Sequence, residues 1–274
     1  MTGGGVERRA GDERAAAVIP ARFGSTRFPG KPLVDVAGRP LIAHVVERCR
    51  EAELVGRIIV ATDDERIMGA AEASGAEAVM TNPSHPSGTD RVAEVAAGLS
   101  SELIVNVQGD EPIIAPDAID AAIAPLLGDP TIPISTLMVR LTEPSELFNP
   151  NVTKVVIDRH GFALYFSRWP IPYIRQAWPN IFEEGRERAS EWVDAFPWYK
   201  HVGLYVYRRE VLLELAELEP TALEEAEGLE QLRALAHGYT IKVVETEHDS
   251  IGVDTPEDVA LVEAILAHRH GAGR

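Results

Sequence analysis

The sequence predicts an α/β fold: a mostly parallel central sheet with a mixed extension in its C-terminal half. Three observations carry that reading. Through the first half, short apolar runs alternate with stretches of helical periodicity. Two of those runs, 15–19 and 103–107, empty into polar, glycine-containing loops, as strands do at the ligand-binding end of an open α/β sheet. In the second half, three strand-like runs follow one another with little helix between them, which suits antiparallel or mixed pairing.

Composition sets the bounds. The chain has 274 residues, 45% hydrophobic and 25% charged, enough for a large core in one principal domain. A formal net charge of −17 argues against a general nucleic-acid or anionic-membrane binder, because that affinity rests on cationic surface. An anionic ligand must therefore be caught by a local basic site. Cys49 is the single cysteine, so there is neither an intrachain disulfide nor a cysteine-based metal site. Residues 1–14 have no apolar h-region and read as a flexible leader, and no apolar run is long enough to span a bilayer, so a cytoplasmic location is expected.

Taken in order, Ala15 to Ile19 is small and apolar and reads as a buried strand. Pro40 suits the first helical position, and Leu41, Ile42, Val45 and Val46 then recur on one face. Residues 57–62 form the next strand, Asp63 and Asp64 cap a helix through Ala73, and Gly75 stops it. A short strand at 76–81 leads to a loop of turn formers at 82–88, after which Thr89 or Asp90 begins another helix. Residues 103–107 are almost uniformly apolar, as a central parallel strand should be, and Pro116 opens a further helix. Strands are expected at 134–141, 153–158 and 162–167, with turns at Pro150 and Gly161. Residues 175–198, which hold Trp178, Trp192 and Trp198, read as an inserted lobe or lid. A cleanly alternating strand at 199–207, helices at about 208–218 and 223–237, a strand at 240–247 and a helix after Pro256 complete the chain.

The loop after the first strand carries Arg22, Arg27 and Lys31, the hydroxyls of Ser25 and Thr26, and Gly24 and Gly30. Cations, hydroxyls and backbone N–H groups freed by glycine are what a triphosphate needs. It is not a P-loop: five residues separate Gly24 from Gly30, and Pro32 follows Lys31. Nor does a G-x-G-x-x-G follow the strand. Asp110, at the end of the second apolar strand, is placed to hold Mg²⁺ against phosphate oxygens, although a turn-forming Gly-Asp explains it as well. Asp254 could complete that metal site or merely cap the last helix. On the strand at 199–207, His201, Gly203, Tyr205 and Tyr207 share one face, polar and with a gap at Gly203 where a polyol could lie. Glu227, Glu230 and Gln231 fall at i, i+3 and i+4 on the helix that follows, and could bind hydroxyls or be a solvated face.

These residues carry a resemblance. Ile19-Pro-Ala-Arg-Phe-Gly-Ser-Thr-Arg-Phe-Pro-Gly-Lys-Pro-Leu33, Ser87-Gly-Thr-Asp-Arg-Val-Ala-Glu94, Asn106-Val-Gln-Gly-Asp-Glu-Pro112, Phe148-Asn-Pro-Asn151, Ala163-Leu-Tyr-Phe-Ser-Arg168, His201-Val-Gly-Leu-Tyr205, Leu229-Glu-Gln-Leu-Arg233 and Gly252-Val-Asp-Thr-Pro256 together resemble the 3-deoxy-manno-octulosonate cytidylyltransferases. The match runs from about 15 to 268. It implies a Rossmann-like nucleotide-diphospho-sugar transferase fold in one domain over 15–270, with a sugar-binding and dimerisation part at about 130–210. It also implies a homodimer and the Mg²⁺-dependent reaction of CTP with 3-deoxy-D-manno-octulosonate (Kdo) to CMP-Kdo and pyrophosphate, for lipopolysaccharide synthesis. By the same resemblance Arg22, Ser25, Arg27 and Lys31 would grip the triphosphate, and Arg22, Lys31, Asp110 and Asp254 would be catalytic. The Ser87-Gly88-Thr89 turn and Gln108 would help hold the nucleotide, Asp110 and Asp254 would ligate Mg²⁺, and Arg168, His201, Tyr205, Glu230 and Gln231 would bind the sugar acid. The family often has glutamine where this chain has Pro86. Activation of 8-amino-Kdo or a nonulosonate, another nucleotide preference, and a non-catalytic nucleotide-binding relative stay open at the level of sequence.

Overall fold

The computed structural model describes residues 15–24, 28–175 and 188–272. The expected leader at 1–14, the loop residues Ser25, Thr26 and Arg27, and much of the expected lid lie outside the described residues.

Strand β1 (Ala15–Ala21) leads through a single 3₁₀ turn at Lys31–Leu33 into a small hairpin, β2 (Asp35–Val36) and β3 (Arg39–Pro40). Helix α1 (Leu41–Glu51) begins one residue later than expected, because Pro40 pairs with Asp35 in the hairpin and occupies the N-cap instead. After β4 (Arg57–Thr62), Asp64 caps α2 (Glu65–Ala73) by accepting from the Arg66 N–H. Following β5 (Glu77–Met80), Ser87 caps α3 (Gly88–Ala97) through the Asp90 N–H, so this helix starts ahead of the Thr89 or Asp90 expected. Strand β6 (Leu103–Asn106) and α4 (Pro116–Gly128) close the first half. Then come β7 (Ile134–Arg140), a single turn α5 (Pro144–Leu147), β8 (Lys154–Ile157), β9 (Ala163–Ser167), α6 (Ala189–Ala195) and β10 (Tyr199–Arg208). Helices α7 (Arg209–Ala216), α8 (Ala222–Glu227) and α9 (Gln231–Ala236), strand β11 (Ile241–Glu245) and α10 (Pro256–Ala272) complete the chain.

Among the described residues one sheet has the order β11-β7-β10-β6-β1-β4-β5, with β8 and β9 running off it beside β10. Strands β4, β5, β1 and β6 are parallel, whereas β10 lies antiparallel to both β6 and β7. The apolar run at 103–107 is thus a parallel strand on one edge and an antiparallel one on the other. Both faces of the sheet are covered, which is why β1 is apolar without alternation. Ala15, Ala17, Ile19 and Ala21 pack with Ile42, Val45 and Val46 of α1 and with Ile119 and Ile123 of α4. Ala16 and Val18 face the opposite layer, with Val92, Val95 and Ala96 of α3 and Leu212 and Leu215 of α7. Residues 188–198 pack their Trp192, Val193 and Trp198 onto Leu141 and Leu147 in a separate small cluster.

One expected feature is corrected and another holds despite an irregularity. The helix at 223–237 is broken: α8 ends at Gly228, which takes a left-handed φ of 60°, and α9 begins at Gln231. Glu227, Glu230 and Gln231 therefore do not share a continuous helix face. Along β10, the register against β7 shifts between Val202 and Tyr205, where three steps on β10 oppose one step, Leu137 to Thr136, on β7. Two extra residues preserve the alternation, so Val202, Leu204 and Val206 face one layer while Tyr205 and Tyr207 face the other.

Candidate active site

The ends of β1 and β6 and the loop before α10 meet at one point. Lys31, held by the 3₁₀ turn whose Pro32 is buried, donates from Nζ to Asp110 Oδ2 at 2.6 Å and to Asp254 Oδ1 at 3.1 Å. The two carboxylate loops are also tied through the backbone, the Val253 N–H donating to the Asp110 carbonyl at 2.8 Å. At the start of α10 the Asp258 carboxylate accepts from the N–H groups of Asp254 and Thr255, while the Asp254 carboxylate accepts from Lys31. Val253 and Ile113 anchor both loops in an apolar cluster with Val262 and Leu266 of α10.

Two carboxylates already gathered around a cation fit a hard divalent ion such as Mg²⁺, which prefers oxygen ligands. Among the described residues no group of three or more His, Cys, Asp or Glu converges for a metal, so substrate phosphate oxygens and water would complete the shell. Gly109 is needed here for close approach. A Cβ on it would stand 2.7 Å from the Pro20 carbonyl oxygen, so any side chain would push the Asp110 loop away from β1.

From this point a cleft of about 1040 Å³ opens, lined by Pro20, Arg22, Lys31, Ser87, Gly88, Arg91, Gln108, Asp110, Glu230 and Asp254. The start of α3 forms one wall. Ser87 fixes it by donating its hydroxyl to Asp90 Oδ2 at 2.7 Å while accepting from the Asp90 N–H at 3.1 Å. Opposite, the loop after β1 is closed on itself by the Gly30 N–H donating to the Phe23 carbonyl at 3.0 Å. Gly30 has a φ of 72°, a conformation that strains any side chain, and a Cβ there would stand 3.0 Å from the Phe23 ring.

A second hollow of about 720 Å³ adjoins the cleft and shares Gly88, Gln108 and Glu230 with it. His201, Gly203, Tyr205 and Tyr207 line its β10 side, so the polar strand face is assembled as the alternation predicts. Thr136 Oγ1 lies 2.7 Å from the Leu204 carbonyl and 2.8 Å from His201 Nε2. A hydroxyl has one proton, and the carbonyl can only accept, so Thr136 donates to Leu204 and accepts from His201 Nε2–H. His201 Nδ1 is left as an acceptor. Burial pushes this imidazole down to about 3, so it is neutral across the physiological range. Burial also raises both tyrosine hydroxyls, and Tyr205 Oη has no hydrogen-bond partner among the described residues. Glu230 is raised by burial too, against the opposing effect of Thr89, whose hydroxyl donates to Glu230 Oε2 at 2.7 Å.

Arg168 is placed differently from the other expected sugar ligands. Its guanidinium donates to the carbonyls of Glu227 at 2.6 Å, Pro150 at 2.8 Å and Gly228 at 3.0 Å, and it is not among the residues lining either hollow. It ties the end of β9 to the Gly228 turn. Glu227, grouped with Glu230 in the sequence, instead accepts from Ser167 Oγ and the Arg168 N–H. Gln231 lines the second hollow from the first position of α9.

One residue lining the cleft and one buried next to Asp110 escaped the sequence reading. Arg91 is 2% exposed, lines the cleft and bonds Asp63 Oδ2 at 2.9 Å as well as Thr81. Asp63 in turn accepts from the Phe23 N–H, so this pair braces the basic loop. The available signal was a charge on the buried face of α3, beside Val92 and Val95. Glu111 is the other: burial first, and then the Asp110 charge, push its carboxyl up to about 7, and its Oε2 has no hydrogen-bond partner among the described residues. Its other oxygen lies 3.7 Å from where a Cβ on Gly203 would stand.

Residues 16–243 match the family model for cytidylyltransferases. The 3-deoxy-manno-octulosonate cytidylyltransferase of Geobacter sulfurreducens is 53% identical, covering 90% of this chain and 96% of its own length. That of Pelobacter propionicus is 54% identical over 89% of this chain and 93% of its own. Among solved structures, CMP:2-keto-3-deoxy-manno-octonic acid synthetase complexed with CTP superposes with a TM-score of 0.83 at 40% identity, covering 93% of this chain and 99% of that one. The 4-diphosphocytidyl-2C-methyl-D-erythritol synthase of Anaerococcus prevotii, 16% identical with a TM-score of 0.57 over 92% of this chain and 98% of that one, shares the fold alone. Sequence and fold together establish that the chain belongs to the 3-deoxy-manno-octulosonate cytidylyltransferase family.

Proposed function

We propose that the protein transfers the cytidylyl group of CTP to the anomeric hydroxyl of Kdo, giving CMP-Kdo and pyrophosphate. The observation that carries this reading is the meeting of two hollows. A cleft bearing Arg22, Lys31, Asp110 and Asp254 opens directly onto a pocket walled by His201, Tyr205 and Glu230. Relatives at about 53% identity named for this activity, and a fold neighbour holding CTP, support the choice of substrates.

In this mechanism the triphosphate lies along Arg22 and Lys31, with Ser25 and Arg27 of the same loop completing the grip. Ser87, Gly88 and Gln108 hold the rest of the nucleotide. The sugar acid occupies the β10 pocket, where His201 Nδ1 accepts from one hydroxyl and Tyr205, Glu230 and Gln231 engage others. Arg168 acts by holding the Gly228 turn beneath Glu230. The anomeric oxygen forms its bond to the α-phosphorus in line as the bond to the pyrophosphate oxygen breaks. Lys31 and Arg22 stabilise the charge that moves onto the leaving group. Asp110 and Asp254 would hold Mg²⁺, which when bound supplies Lewis-acid stabilisation of phosphoryl charge and lowers the pKa of the attacking hydroxyl. His201, neutral and weakly basic, orients rather than abstracts.

The reaction is read as cytoplasmic, where CTP is made, with its product entering lipopolysaccharide. The protein is further read as a homodimer, supported by the exposed Leu164, Trp169 and Tyr173 on and after β9. Sedimentation equilibrium tests that reading, and a monomer at micromolar concentration contradicts it. The activity is tested by pyrophosphate release from each of the four nucleoside triphosphates with Kdo, 8-amino-Kdo and a nonulosonate. Release with CTP and Kdo is expected. Normal CTP binding without turnover of any ulosonate would refute the assignment.

A further inference from the structure

The nucleotide cleft and the sugar pocket are joined by one side-chain contact that crosses 141 residues of sequence, the Thr89 hydroxyl donating to Glu230 Oε2 at 2.7 Å. Thr89 is the second residue of α3, directly after the Ser87 cap and Gly88, both of which line the nucleotide cleft. Glu230 lines the cleft and the sugar pocket alike. It sits between α8 and α9, just after the left-handed Gly228, so its backbone is not fixed by a continuous helix. Among the described residues Thr89 is the one hydrogen-bond donor to its side chain. Arg233, the nearest cation on the same segment, is committed to Glu224 at 2.6 and 2.8 Å. Asp90, next to Thr89, is engaged with Ser87.

We propose that Thr89 is a positioning residue that couples the two substrates: by fixing the Glu230 carboxylate to the start of α3, it makes nucleotide occupancy of the cleft raise the affinity of the pocket for the sugar acid. A nucleotide held at Ser87 and Gly88 settles the first turn of α3 in one place, and the Thr89 hydroxyl carries that placement to Glu230. Because coupling is reciprocal, the sugar acid raises nucleotide affinity by the same factor. Thr89 touches neither reacting atom in this account, and the inference rests on the cytidylyl-transfer reading above.

The test is the affinity of Kdo measured by calorimetry with and without a non-hydrolysable CTP analogue, in wild type, Thr89→Val and Thr89→Ser. Wild type must first release pyrophosphate from CTP and Kdo; failure there sinks the functional reading itself and is a different result from failure of the coupling. Given that activity, the wild-type ratio of the two Kd values should exceed about five, the low end of ordinary coupling. Thr89→Val should collapse it toward one, while Thr89→Ser, which keeps the hydroxyl, should restore it to within twofold. A purely structural loss would lower the melting temperature without moving the ratio. The proposal is overturned if wild type shows no coupling, if Thr89→Val keeps the wild-type ratio, or if Thr89→Ser loses it as fully as valine does.

Discussion

Replacing Gly203 with alanine should make the protein more stable and a poorer binder of its sugar substrate at the same time. Gly203 sits in β10 without a positive φ, and a Cβ there would meet nothing nearer than Glu111 Oε1 at 3.7 Å and Gln108 Cγ at 3.9 Å, ordinary contacts that require no shift. A glycine in a strand costs roughly 0.5–1 kcal/mol relative to alanine, so the melting temperature should rise by about 1–3 °C. The same methyl projects at the wall of the pocket lined by His201 and Tyr205. Overpacking a filled site by one methyl costs roughly 1–3 kcal/mol, which is about 5- to 150-fold in the KM for the sugar acid. The KM for CTP should change little, because Gly203 does not line the nucleotide cleft. Scanning calorimetry and steady-state kinetics with each substrate varied in turn read both effects. A variant with wild-type sugar KM would refute the placement of the sugar over Gly203, and a lowered melting temperature would refute the reading of the space as open.

Three further outcomes are expected. Gly109→Ala, whose Cβ would approach the Pro20 carbonyl oxygen to 2.7 Å, should lose roughly 1–3 kcal/mol of stability and most of its turnover, measured by urea denaturation and pyrophosphate release. Asp110→Ala should reduce turnover far more than CTP affinity, a loss of transition-state stabilisation read by comparing kcat with a calorimetric Kd; unchanged turnover would remove Asp110 from the mechanism. His201 is held at about 3 when folded against about 6.5 unfolded, so the unfolded chain binds a proton that the folded one refuses. Its contribution to stability is complete above pH ~6.5 and is lost as pH falls toward 3, by at most about 1.4 kcal/mol per pH unit. Denaturation between pH 4.5 and 6.5 should therefore show a shallower pH slope for His201→Gln than for wild type, and equal slopes would contradict the buried neutral imidazole.

What the sequence made legible was local. Arg22, Lys31 and Asp110 were visible because each follows a short apolar run that could only be a buried strand, and such loops end at the ligand-binding edge of the sheet. The polar face of β10 was visible because a period of two is independent of strand partners, and it survived the bulge because that bulge adds two residues. Pairings across long separations were not legible. The Lys31 contacts with Asp110 and Asp254 span 79 and 223 residues, and no local pattern specifies them. An apolar run does not encode the direction of its neighbour, so the antiparallel partner of β6 appeared only in the fold. Helical periodicity at 223–237 hid the break at Gly228, where a left-handed residue redirects the chain and separates Glu227 from Glu230. Arg168 is a different case: the resemblance implied a sugar contact, whereas its donors go to three carbonyls, two of them at this same turn.

The central claim, that these two hollows join CTP to a ulosonate at the α-phosphorus, is tested most directly by following label from CTP marked at that phosphorus. With Mg²⁺ and Kdo, the label should appear in the sugar-acid product in proportion to unlabelled pyrophosphate, and only when Kdo is present. Label released without Kdo, or retained in a cytidine nucleotide while Kdo goes unmodified, would contradict the account.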